Sequence, residues 1–122
     1  MIVRRGMIVD HGGMRGDDLA GMSGQVRRAA RDCGNGEIEW PLPLAGAVVG
    51  ALAAAGRVIL GLDIRDYDAG GLFVEVAWSA FEPGISASLA HAVESSRAAA
   101  MAALDRAFEH HSWNDPRVVV TW

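Results

Sequence analysis

The stretch RVILGLDIRDYDAGGLFVEVAWSAF, Arg57 to Phe81, decides the fold. Arg57–Asp68 and Leu72–Phe81 are β-branched and aromatic, with a period of two in their distal halves, so each reads as a strand. Ala69, Gly70 and Gly71 lie between them, and glycine suits the left-handed position of a three-residue hairpin loop. Opposite residues of an antiparallel pair share a face, so their characters should agree. Pairing Asp68 with Leu72 sets Ile64 against Val76, Leu62 against Trp78 and Leu60 against Ala80 on an apolar inner face. It sets Tyr67 against Phe73 and Arg65 against Glu75 on an outer face that also carries Asp63 and Ser79. A two-residue loop would oppose Arg65 to Val74 and Asp63 to Val76, mixing the faces.

Upstream, Glu37, Ile38, Glu39 and Trp40 alternate as a short half-buried strand, ended by Pro41, which has no N–H to donate. Leu44 to Ala55 reads as a helix, with Pro43 in its first turn and Gly56 just past its end. It has almost no polar face, so it is expected to be buried. The uncharged run from Pro41 to Gly56 reaches only about 24 Å as a helix, short of a hydrocarbon core of about 30 Å, and a strand follows it. No membrane span is therefore expected, and Gly46 and Gly50 read as points of close approach to the sheet.

Downstream, Glu82, Pro83 and Gly84 precede a helix expected from Ser86 to Glu109, capped by Ser86 or Ser88, with Leu89, Val93, Ala100, Leu104 and Ala107 as its core stripe. Ser112 to Pro116 reads as a turn, and Arg117 to Trp122 as a last strand. The sum is an α+β domain with the order βαββαβ. This resembles the split arrangement of ferredoxin-like sandwiches, an antiparallel sheet with two helices on one face. A three-stranded meander, with Glu37–Trp40 as a loop, is the competing arrangement. Residues 37–122 form the expected domain. Residues 1–36, rich in Gly and with Met7, Met14 and Met22 as further candidate starts, form an expected mobile or weakly helical segment. A helix over about 17–32 is indicated by Leu19, Met22, Val26, Ala29 and Cys33 and weakened by Gly21 and Gly24.

The chain has 122 residues, a length for one domain. All 11 of its Lys and Arg residues are Arg; with abundant Ala and Gly this reflects a GC-rich, bacterial-type genome rather than nucleic-acid binding. The net charge is -4, and residues 37–122 carry five Arg against eleven acids, so a phosphate-tracking surface is excluded. The lone Cys33 and the lack of a secretory signal suggest a reducing cytoplasm.

That fold type hosts many activities, so the residues must assign one. The hairpin lacks the basic and aromatic pattern of an RNA-recognition motif, Cys33 stands alone where a metal chaperone needs two thiols, and Trp40–Pro43 replaces the arginine loop of an acylphosphatase. Asp66, Asp68 and Gly70 open like a calcium loop, but Ala77 stands where the bidentate Glu belongs. His91 and Ser95 share a helix face without a third orienting group, and His110 and His111 suit a helix C-terminus. Trp40, Trp78, Trp113 and Trp122 suit core and edge packing, Trp78 also lining a pocket. Neither cofactor nor metal is expected. Two functions remain. In the first, a non-enzymatic inhibitor, immunity-type protein or accessory subunit docks a basic partner through Asp63, Arg65, Asp66, Asp68, Glu75 and Glu82. In the second, a homodimer closes its outer sheet faces over a small molecule held by Tyr67, Phe73, Trp78 and Phe81, with Asp63 or Glu75 as acid or base.

Overall fold

A computed structural model describes residues 17–82, 88–109 and 112–122. After a helical turn at 17–20, the elements are α1 (Gly24–Ala29), β1 (Arg31–Gly34), β2 (Glu37–Pro41), α2 (Leu42–Ala54), β3 (Gly61–Tyr67), β4 (Phe73–Ala80), α3 (Leu89–Phe108) and β5 (Pro116–Thr121). The expected strands and both long helices are present. Residues 1–16, Pro83, Gly84, Ser86, His110 and His111, on which several expectations fell, lie outside the described residues.

The sheet has five strands in the order β1-β2-β5-β3-β4, every neighbour antiparallel. The ferredoxin-like expectation needs correcting here. In that arrangement the first and third strands of βαββαβ are central, whereas here the last strand, β5, lies between β2 and β3, and β4 forms an edge. The alternation of Glu37–Trp40 defines a strand but not its neighbour, and β5, with Val118, Val119 and Val120 all buried, takes the central place.

Residues 17–36 also lie closer to the core than expected. Ser23 caps α1 by accepting from the Val26 amide, and Met22 and Val26 are buried in the core cluster. The Trp40 indole donates to the Val26 carbonyl at 3.0 Å, and Arg31–Gly34 adds a strand to the sheet. The hairpin between β1 and β2 turns through Gly34, Asn35 and Gly36, all at positive φ. The domain therefore begins before Glu37.

Helices α2 and α3 pack against each other and cover the inner face, where Trp40, Leu62, Ile64, Val118 and Val120 are buried. Ser88 caps α3, its hydroxyl accepting from the His91 amide. The core side of α3 is Ala92, Ser96, Ala100, Leu104 and Ala107, while Leu89, expected in the stripe, is exposed at the first turn. Ser96 is buried without loss of hydrogen bonding, because its Oγ accepts from the Ile59 amide at 2.9 Å and donates to the Val93 carbonyl at 3.0 Å. Gly56, at φ +81, ends α2 as expected. Gly46 instead faces Met101 of α3, and a Cβ at Gly50 would meet nothing within 4 Å, so neither glycine is a contact point with the sheet.

Candidate outer-face site

The hairpin tip follows the expected register. Asp68 N–H donates to the Leu72 carbonyl, Gly71 has φ +86, and Tyr67 opposes Phe73 and Arg65 opposes Glu75. Between Ile64 and Arg65 the register shifts, leaving Val76 as an extra residue in β4. Beyond that bulge Ile64 opposes Ala77, Asp63 opposes Trp78 and Leu62 opposes Ser79. An inserted residue exchanges the faces of everything beyond it, so Trp78 stands beside Asp63 on the outer face rather than over the core. Trp78 is 69% exposed.

One row of the outer face runs across all five strands as Arg31, Glu39, Val119, Asp63 and Trp78. At its first end the Glu39 side chain is fully buried; Oε1 pairs with Arg31, and Oε2 accepts from the Tyr67 hydroxyl at 2.8 Å. The Arg31 guanidinium lies 4.9 Å from the centre of the Tyr67 ring. Burial of the Tyr67 phenol, together with Glu39, raises its pKa. For Arg31, burial opposes the charge, but Glu39 and Tyr67 outweigh it and the pKa rises. Cys33 joins this cluster. Partial burial, with the hydrogen bond and charge of Glu39, pushes its thiol up to about 11 although the residue is on the surface. Such a thiol is protonated at neutral pH and is a poor nucleophile.

The other end of the row is less compensated. Asp63 Oδ1 is cut off from solvent and meets no donor among the described residues, and Oδ2 is 3.9 Å from Arg65. Arg65 is drawn instead to Glu37, 3.2 Å away, and lies over the Phe73 ring at 4.8 Å. Burial raises the Asp63 pKa first, then the charges of Glu75 and Glu37, with only Arg65 opposing them. Arg65 and Arg117 are direct neighbours across β3 and β5, and Arg117 leans to Asp115 at 3.4 Å.

The outer face thus brings together Asp63, Arg65, Tyr67, Phe73, Glu75 and Trp78 from the expected set. Asp66 and Asp68 are occupied by the backbone: Asp66 accepts from the Asn114 and Asp115 amides, and Asp68 from the Gly70 and Leu72 amides. Phe81 and Glu82 lie beyond the far end of β4 from the hairpin tip. Arg31, Glu37, Glu39 and Arg117 were not among the expected site residues. The alternation of Glu37–Trp40 held the signal for two of them, because Trp40 in the core sends Glu37 and Glu39 outward. On the inner side, a groove of about 310 Å³ between β4 and α3 is floored by Leu62 and Ile64 and bordered by Arg106 and Trp113, and Trp78, on the edge strand, also lines it, as expected of a pocket residue.

Among the described residues, no helix is long and apolar enough to cross a membrane, and no group of three or more His, Cys, Asp or Glu could hold a metal ion. His91 and Ser95 meet at 3.3 Å on the exposed side of α3. Comparison of the chain with protein-family models, curated proteins and solved structures finds no match.

Proposed function

We propose that this protein is a non-enzymatic interaction protein, acting in the reducing cytoplasm, that docks a basic partner through the outer face of β3 and β4. Asp63 is the observation that carries the reading. Its carboxylate is held among Glu75 and Glu37 with Arg65, 3.9 Å away, as its one ion-pair partner among the described residues, and the exposed indole of Trp78 stands opposite. A guanidinium or ammonium group from a partner would approach the carboxylate oxygen Oδ2, offset the repulsion and lie against the ring, a cation–π contact worth about 0.5–2 kcal/mol. Asp66, Asp68 and Glu82 add long-range attraction, which raises association rates more than affinity.

The closed-barrel alternative is less favoured. Packing two outer faces together would bury the half-exposed Arg31 and Glu37 on each copy, and burying charge is costly without matched partners.

The test is titration with an Arg-rich peptide, followed by indole fluorescence and repeated at rising salt. Saturable binding that weakens with salt and is lost in Asp63→Asn/Glu75→Gln is expected. Equal binding by that double variant, or no binding to any basic peptide tried, would sink the reading.

A further inference from the structure

The two edges of the sheet differ. β1 is four residues long, wholly exposed, interrupted by a register shift and carries Arg31 and Asp32, features that discourage pairing with another chain. β4 is eight residues long with Glu75 as its one charge, and exposes Phe73, Val74, Val76 and Trp78 directly after the exposed Leu72. Its free polar groups can be located. Phe81 N–H bonds the Leu60 carbonyl at one end, and the Leu72 carbonyl accepts from Asp68 at the other. Alternation then turns the N–H groups of Phe73, Glu75, Trp78 and Ala80 away from β3. No strand among the described residues meets them.

We infer that β4 pairs antiparallel with β4 of a second copy, joining two five-stranded sheets into one. The bulge restricts the register, because Phe73, Glu75, Trp78 and Ala80 share the outer face while Val74, Ala77 and Ser79 share the helix side. A two-fold axis between Val76 and Ala77 keeps like faces opposed. It sets Phe73 against Ala80, Val74 against Ser79 and Glu75 against Trp78, uses the whole strand, and avoids placing the two Glu75 carboxylates directly opposite each other. The area is adequate. At 46% and 69% exposure, Phe73 and Trp78 together offer roughly 250 Å² of aromatic side chain. Leu72, Val74 and Val76 add about as much again, so two copies bury on the order of 1,000 Å², the lower end for a specific interface and fitting a reversible dimer. Because each chain has one such edge, pairing closes at two copies instead of growing into a fibre. The acidic surfaces of the two copies then adjoin, Glu75 of one beside Trp78 of the other, so that a second copy and the basic partner compete for the Trp78 indole and the pairing does not depend on that partner.

Sedimentation of the full chain from about 1 to about 200 µM tests this, since a reversible dimer follows mass action. A concentration-dependent dimer is expected, with slowed amide exchange at Trp78 and Ala80 as it forms. Val74→Lys should weaken it at least tenfold while leaving the melting curve in place, because Val74 is 63% exposed. A monomer at the highest concentration, a dimer indifferent to Val74→Lys, or a dimer that leaves those amides unprotected would each overturn the inference.

Discussion

Glu39 and Asp63 lie two positions apart in one row of the outer face, yet the protein treats them in opposite ways. Glu39 is fully buried, with Oε2 accepting from Tyr67 and Oε1 paired with the charge of Arg31, although Oε1 has no hydrogen bond of good geometry among the described residues. Asp63 is more accessible, but one oxygen meets no donor among the described residues and its nearest acidic neighbours repel it. The half of the face formed by β1 and β2 is internally compensated, and its charges hold the first hairpin against the sheet. The half formed by β3 and β4 sets two carboxylates, Asp63 and Glu75, against one cation, Arg65, which it shares with Glu37, beside an exposed indole.

The most severe way to test the assignment of faces is Ile64→Asp, which puts a carboxylate into the core next to Asp63 and should abolish folding by circular dichroism, whereas Trp78→Asp on the outer face should fold. Equal tolerance would show that the faces are reversed. Removing residues 1–36 dismantles the compensated half and takes Met22 and Val26 out of the core. At about 1.5–3 kcal/mol for each buried side chain, the loss should be several kcal/mol in urea unfolding. An unchanged midpoint would place the domain boundary at Glu37 after all. Arg31→Ala leaves Glu39 buried without its cation and should cost about 3 kcal/mol, against about 1 kcal/mol for Tyr67→Phe, which removes one hydrogen bond. If Arg31→Ala proves as mild as Asp63→Asn, the distinction between the two halves fails.

Asp63→Asn should have the smallest effect, and of opposite sign. The folded pKa of Asp63 is raised, so the folded state holds its proton more tightly than the unfolded chain. The stability this contributes is complete below the unfolded value of about 3.9 and is lost as pH rises through the raised folded value. At neutral pH the Asn variant should therefore be the more stable, by up to about 1 kcal/mol for relief of the partly buried charge and of like-charge crowding, and the difference should vanish in acid. Melting curves across pH would decide it, and a variant less stable at pH 7 would mean that Arg65 already compensates Asp63.

The elements and the hairpin tip were legible because they depend on local chemistry: alternation, glycine at the turn, a serine cap and a glycine stop. The distal register was not. A bulge adds one residue without marking it, and Val76 looks like any other apolar strand residue, so Trp78 was expected on the wrong face. β1 was missed for a related reason, since Arg31–Gly34 has no alternation and is held by its partner strand. The periodicity of Met22 and Val26 was visible, and the expected weakness at Gly21 and Gly24 corresponds to a break between the turn at 17–20 and α1. Strand order was beyond the sequence reading, because β2 and β3 are parallel and pair only through β5.

That central position of β5 bears on how the chain can be made. During synthesis β2, β3 and β4 leave the ribosome before β5, and β2 and β3 have no ladder between them until β5 is inserted. The nascent chain can close its β3–β4 hairpin early, while the inner strands keep open edges until β5 emerges. The bond from the Trp122 indole to Asp18, 104 residues apart in sequence, belongs to the same late step. Assembly of the sheet is thus expected to wait for β5 and to be slow for a sheet of this size, with a window of aggregation that a chaperone binding extended apolar segments would shorten.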